Sequence, residues 1–202
     1  MGDGDYSLEP IKILIDELRN DDCQQRLKSI RLLSAIATAL GPERTREELV
    51  PYLNEMAAEM EDEDEVLLAM AEELGNMIPH VGGKEHAHVL LLPLETLCAP
   101  EEALVRDKAV ESLTKVSEAL PKAEDAFVPL LRRLATGDYN STRIASAPLF
   151  ATVYTRVGEA SKAEMRQMFA GLCKDDVPMV RKAACQSLGS FAKVPQHCNP
   201  KP

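Results

Sequence analysis

Apolar residues in this chain recur at helical spacing in paired segments, and each second segment opens on an acidic residue. The clearest copy is Asp175–Leu188, reading DDVPMVRKAACQSL. Asp176 is placed to cap a helix, and Pro178 suits a first turn whose N–H groups have no intrahelical partners. Val180, Ala184 and Leu188 then stripe one face. Four further segments align with this one without gaps. Opposite Arg181 they hold Arg26, Leu67, Arg106 and Arg143. Five residues before each reference position stands an acid: Asp21, Asp62, Glu101, Asp138 and Asp176. Seven after each stands a large apolar residue: Leu33, Leu74, Leu113, Phe150 and Leu188. The reference positions lie 41, 39, 37 and 38 residues apart. A period near forty with two helices per period predicts an all-α fold, an α-α superhelix of about five helix pairs.

Taken in order, residues 1–7 are Gly- and Asp-rich and are expected to be disordered. Helix pairs are predicted over about 8–42, 43–82, 83–120, 121–158 and 159–194, followed by an unstructured, Pro-rich tail at 195–202. The first pair comprises Leu8–Arg19 and Cys23–Leu40, the second Thr45–Met60 and Glu65–His80, and the third Glu85–Cys98 and Ala103–Leu120. The fourth comprises Glu124–Ala135 and Ser141–Val157, and the fifth Ser161–Cys173 and Pro178–Val194. Gly41, Gly82, Pro121 and Gly158 break the chain between pairs with the same period. Thr45 with Glu48 has the spacing of a capping box. Pro51, Pro93 and Pro129 fall inside first helices, where each removes one N–H and is expected to kink the helix.

Composition narrows the class. Hydrophobic residues make up 45% of the chain but aromatic residues only 4%, and Trp is absent, which suits stacked helices better than an aromatic-lined ligand pocket. A net charge of −10 argues against nucleic acid and an anionic membrane surface as partners. No apolar run is long enough for a membrane span, and the acidic N-terminus lacks the apolar core of a secretory signal. The five cysteines are widely spaced and form no CxxC, so reduced thiols in the cytoplasm or nucleus are expected.

The repeat resembles the HEAT family, which makes the predicted superhelix a HEAT-repeat solenoid. The segments LIDELRNDD, EDEDEVLLAMAEELG, VGGKEH, LVRDKAVESL, FVPLLRRLATGD and DDVPMVRKAA are more specific still. Across about residues 8–194 they resemble the N-terminal five repeats of the scaffold (A, 65-kDa regulatory) subunits of protein phosphatase 2A. That resemblance implies a non-catalytic scaffold whose intra-repeat turns bind a regulatory B-type subunit. It implies binding of the catalytic subunit only when further C-terminal repeats are supplied. The family generally carries two bulky aromatics after the Gly-Asp of its fourth repeat. Here Tyr139 is followed by Asn140. A generic HEAT adaptor for another protein is the rival reading.

The candidate partner-binding residues are those of the turns: Asp62, Glu63, Glu101, Glu102, Asp138, Tyr139, Asn140, Asp176, Pro178, Met179, Arg181 and Lys182. A residue repeated in every unit usually serves the unit. Arg106, Arg143 and Arg181 are therefore expected to pair with an acid of a neighbouring unit, with Asp138 as the partner of Arg181. Residues that differ between turns, such as Tyr139, Asn140, Pro178, Met179 and Lys182, are the better candidates for a partner. The acidic run Glu59–Glu65 lacks the ligand alternation and central glycine of a calcium loop and reads as a solvated turn. His86 and His88, two apart on a helix, diverge and do not make a zinc site with Cys98. No nucleophile motif is present, so no catalytic residue, cofactor or metal is expected. Cys173 and Cys185 fall on core-like positions and are expected to pack.

Overall fold

A computed structural model describes residues 16–18, 20–60 and 63–193. The predicted N-terminal disorder, most of the first helix, Asp62 and the tail at 195–202 lie outside those residues. The chain divides into two compact units, one ending at Ala119 and the other beginning at Leu120. The described residues are predominantly helical, and none of them lies in a strand.

In the first unit the second helices of successive pairs are α1 (Cys23–Ile30) continued by α2 (Leu33–Leu40), α4 (Asp64–Asn76) and α6 (Ala103–Ala119). They pack in that order, α1 on α4 and α4 on α6, while the first helices α3 (Val50–Glu59) and α5 (Leu91–Thr96) pack on each other. Two layers result, because each helix has apolar residues on more than one side. Leu33, Leu74 and Leu113, equivalent positions in the repeat, are all fully buried. The α4 and α6 helices approach closely at Gly75. A Cβ on Gly75 would lie 2.4 Å from the Ser112 Oγ, whose hydroxyl donates to the Ala71 carbonyl at 2.7 Å. Only glycine admits that approach.

Several local expectations are corrected. The helix Cys23–Leu40 is interrupted at Arg31–Leu32, where Leu32 leaves the helical basin (φ −99°, ψ 6°). Thr45 is not an N-cap. It is buried in a π-helical stretch, Thr45–Leu49, its hydroxyl donates to the Ala37 carbonyl at 3.2 Å, and Glu48 pairs with Arg44 instead. The chain enters that helix through Gly41 at φ 80° and a first turn at Pro42–Arg44. Pro51 then sits in the opening turn of α3, directly after the π stretch. The wider turn accommodates a residue without an N–H, so the distortion falls before the proline. Pro93 is handled in a similar way: residues Lys84–Leu90 form a 3₁₀ helix before α5 begins.

The second unit holds the first helices α7 (Ala123–Ala135) and α9 (Glu159–Leu172) and the second helices α8 (Asn140–Val153) and α10 (Pro178–Lys193). Again α8 packs on α10 and α7 on α9. The chain has few aromatics, and four of them meet here. Phe150 stands edge-on to Phe169 (5.2 Å between centroids) and Phe191 (5.7 Å), and Tyr154 stands edge-on to Phe191 (5.0 Å). Phe150 and Phe191 come from facing second helices and Phe169 from a first helix, so one cluster ties both layers of the unit. Val180, Ala184 and Phe191 are buried as the periodicity predicts, but Leu188 is 47% exposed. Cys185 is exposed too, and Cys173 is half-buried, so neither packs as a core residue.

Candidate functional site

At the turns between paired helices, arginines one turn into the second helix reach back to backbone carbonyls of their own turn, and two of them also reach forward to a carboxylate of the next repeat. Arg143, on α8, shows the arrangement in full. Its Nη1 donates to two carbonyls of its own turn, Gly137 (2.8 Å) and Asp138 (3.0 Å). Its Nε and Nη2 donate to the two carboxylate oxygens of Asp175 in the next repeat, at 2.8 and 3.3 Å. The side chains of this pair are only 17% and 13% exposed. Asp175 also accepts from the Val177 N–H at 2.9 Å, which fixes the turn that starts α10. Burial pushes the Asp175 carboxyl up, but the bonds from Arg143 and Val177 outweigh it and hold the group below its ordinary value.

Arg26 repeats the arrangement in the first unit. Its Nη1 donates to the Asn20 carbonyl and its Nε and Nη2 to the carboxylate of Glu63, the Nε bond measuring 3.0 Å. Two forward rungs are therefore present, each running from an arginine to the acid of the following repeat, but of the three arginines expected to form them only Arg143 does. The predicted pairing of Arg181 with Asp138 does not form. Arg181 uses its Nη1 on the carbonyls of Asp175 (2.6 Å) and Asp176 (3.0 Å), whereas Asp138 offers its carbonyl to Arg143. Nor are the rung acids those five residues before the reference position. They are Glu63 and Asp175, four and six before it. Asp176 does not cap α10, since it is the Asp175 carboxylate that takes the Val177 N–H. Arg106 donates to the Glu101 carbonyl at 3.3 Å, and its buried Nε has no hydrogen-bond partner.

The remaining candidates separate by what holds them. Glu102 Oε1 accepts from the Leu104 N–H at 3.2 Å and Asn140 Oδ1 from the Ser141 N–H at 3.0 Å, so both shape a helix start. Glu101, Asp138, Asp176, Pro178 and Lys182 are exposed. Tyr139 and Met179 are 68% and 57% exposed, large apolar side chains standing in water at successive turns of the second unit. Leu104, 65% exposed, was not among the sequence candidates. The signal existed: Leu104 occupies the repeat position of Met179, which was a candidate.

Among the described residues no group of His, Cys, Asp and Glu is placed to hold a metal ion, and no helix is long and apolar enough to cross a membrane.

Comparison with known proteins decides the kinship. The HEAT-repeat family model matches residues 165–194. Over 195 residues, 96% of this chain, the sequence is 58% identical to the beta isoform of the human serine/threonine-protein phosphatase 2A 65 kDa regulatory subunit. The chain is a homologue of the protein phosphatase 2A scaffold subunits. It is also 57% identical over 94% of its length to a probable PP2A regulatory subunit of Caenorhabditis elegans. With the protein phosphatase 2A scaffold subunit of Dictyostelium discoideum it shares 53% identity over 91% of its length. Each alignment covers 32% of the relative, so this scaffold homologue spans about a third of the length of the curated proteins it matches. The relatives are named regulatory or scaffold subunits.

Proposed function

We propose that the chain binds a regulatory B-type subunit of protein phosphatase 2A through its intra-repeat turns, and holds the catalytic subunit only where further repeats are joined to it. The observation that supports this most is the pair Tyr139 and Met179. Each is an exposed large apolar residue at a turn, beside exposed Asn140 and Lys182, in a chain homologous to scaffold subunits. Exposed aromatic and sulfur-containing side chains are costly to leave in water and are enriched at protein interfaces. Arg143 and Asp175 serve a different purpose in this reading: their carboxylate–guanidinium clamp fixes the spacing of the two turns.

The test is capture of purified regulatory and catalytic subunits, offered separately to the immobilised chain. Regulatory-subunit capture is expected, weakened by Tyr139→Ala and Met179→Ala by about tenfold each if they act as anchors. Lys182→Glu should slow association and flatten its response to salt. Tight capture of the catalytic subunit by itself, or indifference of regulatory-subunit binding to all three substitutions, would refute the proposal.

A further inference from the structure

Beside the turn edge, the first unit carries a groove of about 580 Å³ between its first two repeats, lined by Leu18, Arg26, Tyr52, Met56, Met60 and three glutamates, Glu55, Glu59 and Glu63. Its floor is apolar: Leu18 is fully buried and Met56 is 7% exposed. One stripe of α3, at spacings of three and four residues, supplies Tyr52, Glu55, Met56 and Glu59. Among the described residues Arg26 is the lining's one basic group, and its guanidinium is committed to Glu63. Glu55 and Glu59 stand exposed one helical turn apart, with no ion pair or hydrogen bond among the described residues. Elsewhere in the chain Glu48, Glu111, Glu124 and Glu164 all find side-chain partners. Like charges at i and i+4 oppose helix formation. The rim of this groove therefore keeps an electrostatic cost that none of the described residues relieves.

We propose that this groove is a docking site for a basic segment of a partner protein, with one large aliphatic side chain seated on Leu18, Met56 and Met60 and flanking Lys or Arg residues meeting Glu55 and Glu59. Thioether floors adapt to irregular apolar side chains, and the carboxylate rim sets the sign of the partner's charge. The site is separate from the Tyr139 and Met179 turns of the second unit and does not depend on which subunit those turns bind.

The probe is a short labelled peptide with a central leucine flanked by lysines and arginines, titrated into the full chain at low salt and followed by fluorescence anisotropy. The joint variant Glu55→Gln with Glu59→Gln should weaken binding about tenfold. A control that removes the same charge elsewhere in the first unit, Glu43→Gln with Glu118→Gln, should change it less than about twofold. A peptide with serine in place of the leucine should bind at least about tenfold more weakly to the unaltered chain. Both variants alter exposed side chains, and their helical circular dichroism should match that of the parent. Equal weakening by the control, or equal binding of the serine peptide, would show attraction to a net-negative surface only and would overturn the proposal.

Discussion

Arg143→Ala is the substitution that most directly tests how the repeats are held together. The Arg143–Asp175 pair lies between two limits. A fully exposed ion pair contributes about 0–1 kcal/mol, whereas removing one partner of a fully buried pair costs about 3–5 kcal/mol. At 17% and 13% side-chain exposure the pair stands nearer the second limit, but water still reaches it, so a loss of about 2–3 kcal/mol is expected. Part of that loss belongs to the Gly137 and Asp138 carbonyls, which lose their donor. A double-mutant cycle with Asp175→Ala separates the two contributions, and a coupling of at least about 1 kcal/mol is expected for the clamp itself. Thermal unfolding followed by circular dichroism should show a midpoint lower by roughly 5–10 °C for Arg143→Ala. Hydrogen exchange should localise the new opening to α10.

The same unit contains the control. Arg132 and Glu164 also form a two-bond pair between successive repeats, at 2.6 and 3.0 Å, but their side chains are 50% and 36% exposed. Arg132→Ala should leave the midpoint where it is. Acid adds a further check. The Asp175 carboxyl titrates below its ordinary value in the folded chain, so its contribution is complete above the unfolded value, near pH 4, and is lost as pH falls through the folded one. Arg143→Ala should therefore flatten the acid-induced loss of stability below about pH 4. If Arg143→Ala and Arg132→Ala prove equally harmless, or the coupling falls below about 0.5 kcal/mol, the clamp does not hold the repeats and this reasoning fails.

Three other substitutions or probes follow from the packing. Gly75→Ala forces a Cβ to within 2.4 Å of the Ser112 Oγ and should cost about 1–3 kcal/mol in chemical denaturation, with Ser112→Gly restoring most of it. Leu113→Ala and Leu188→Ala alter equivalent repeat positions, yet the first is fully buried and the second 47% exposed. The first should cost about 2–5 kcal/mol and the second well under half of that, measured on the same apparatus. Burial pushes the Cys98 thiol up to about 12, so an alkylating reagent at pH 8 should modify exposed Cys185 in the folded chain and reach Cys98 only on unfolding, as read by mass spectrometry of the digested protein.

The repeat was legible because one signal, the apolar stripe, and a second, the period of the breakers, coincide at Leu33, Leu74, Leu113 and Phe150 and at Gly41, Gly82 and Gly158. Those positions depend on helix periodicity alone, and helix periodicity is written in the sequence. The clamp was less legible. Four of the five turns offer two or more neighbouring acids, such as Asp21 and Asp22, Glu101 and Glu102, Asp175 and Asp176, and spacing does not say which carboxylate meets a guanidinium. That choice is made by the backbone of the turn. In the fifth repeat Asp175 folds back onto the Val177 N–H and so presents both oxygens to Arg143, while Asp176 is left with its carbonyl facing Arg181. Pro129 lies inside α7 as expected, but Pro51 and Pro93 stand in opening turns for a related reason. Proline dictates what its own residue cannot do, but the preceding backbone chooses how to comply, by a π stretch before Pro51 and a 3₁₀ stretch before Pro93. Exposure was the least legible of all. Met179 and Val180 are adjacent and both apolar, yet one stands in water and the other is fully buried. Of the two, Met179 keeps an apolar surface for something outside the chain to cover, which is why the turn is where binding should first be sought.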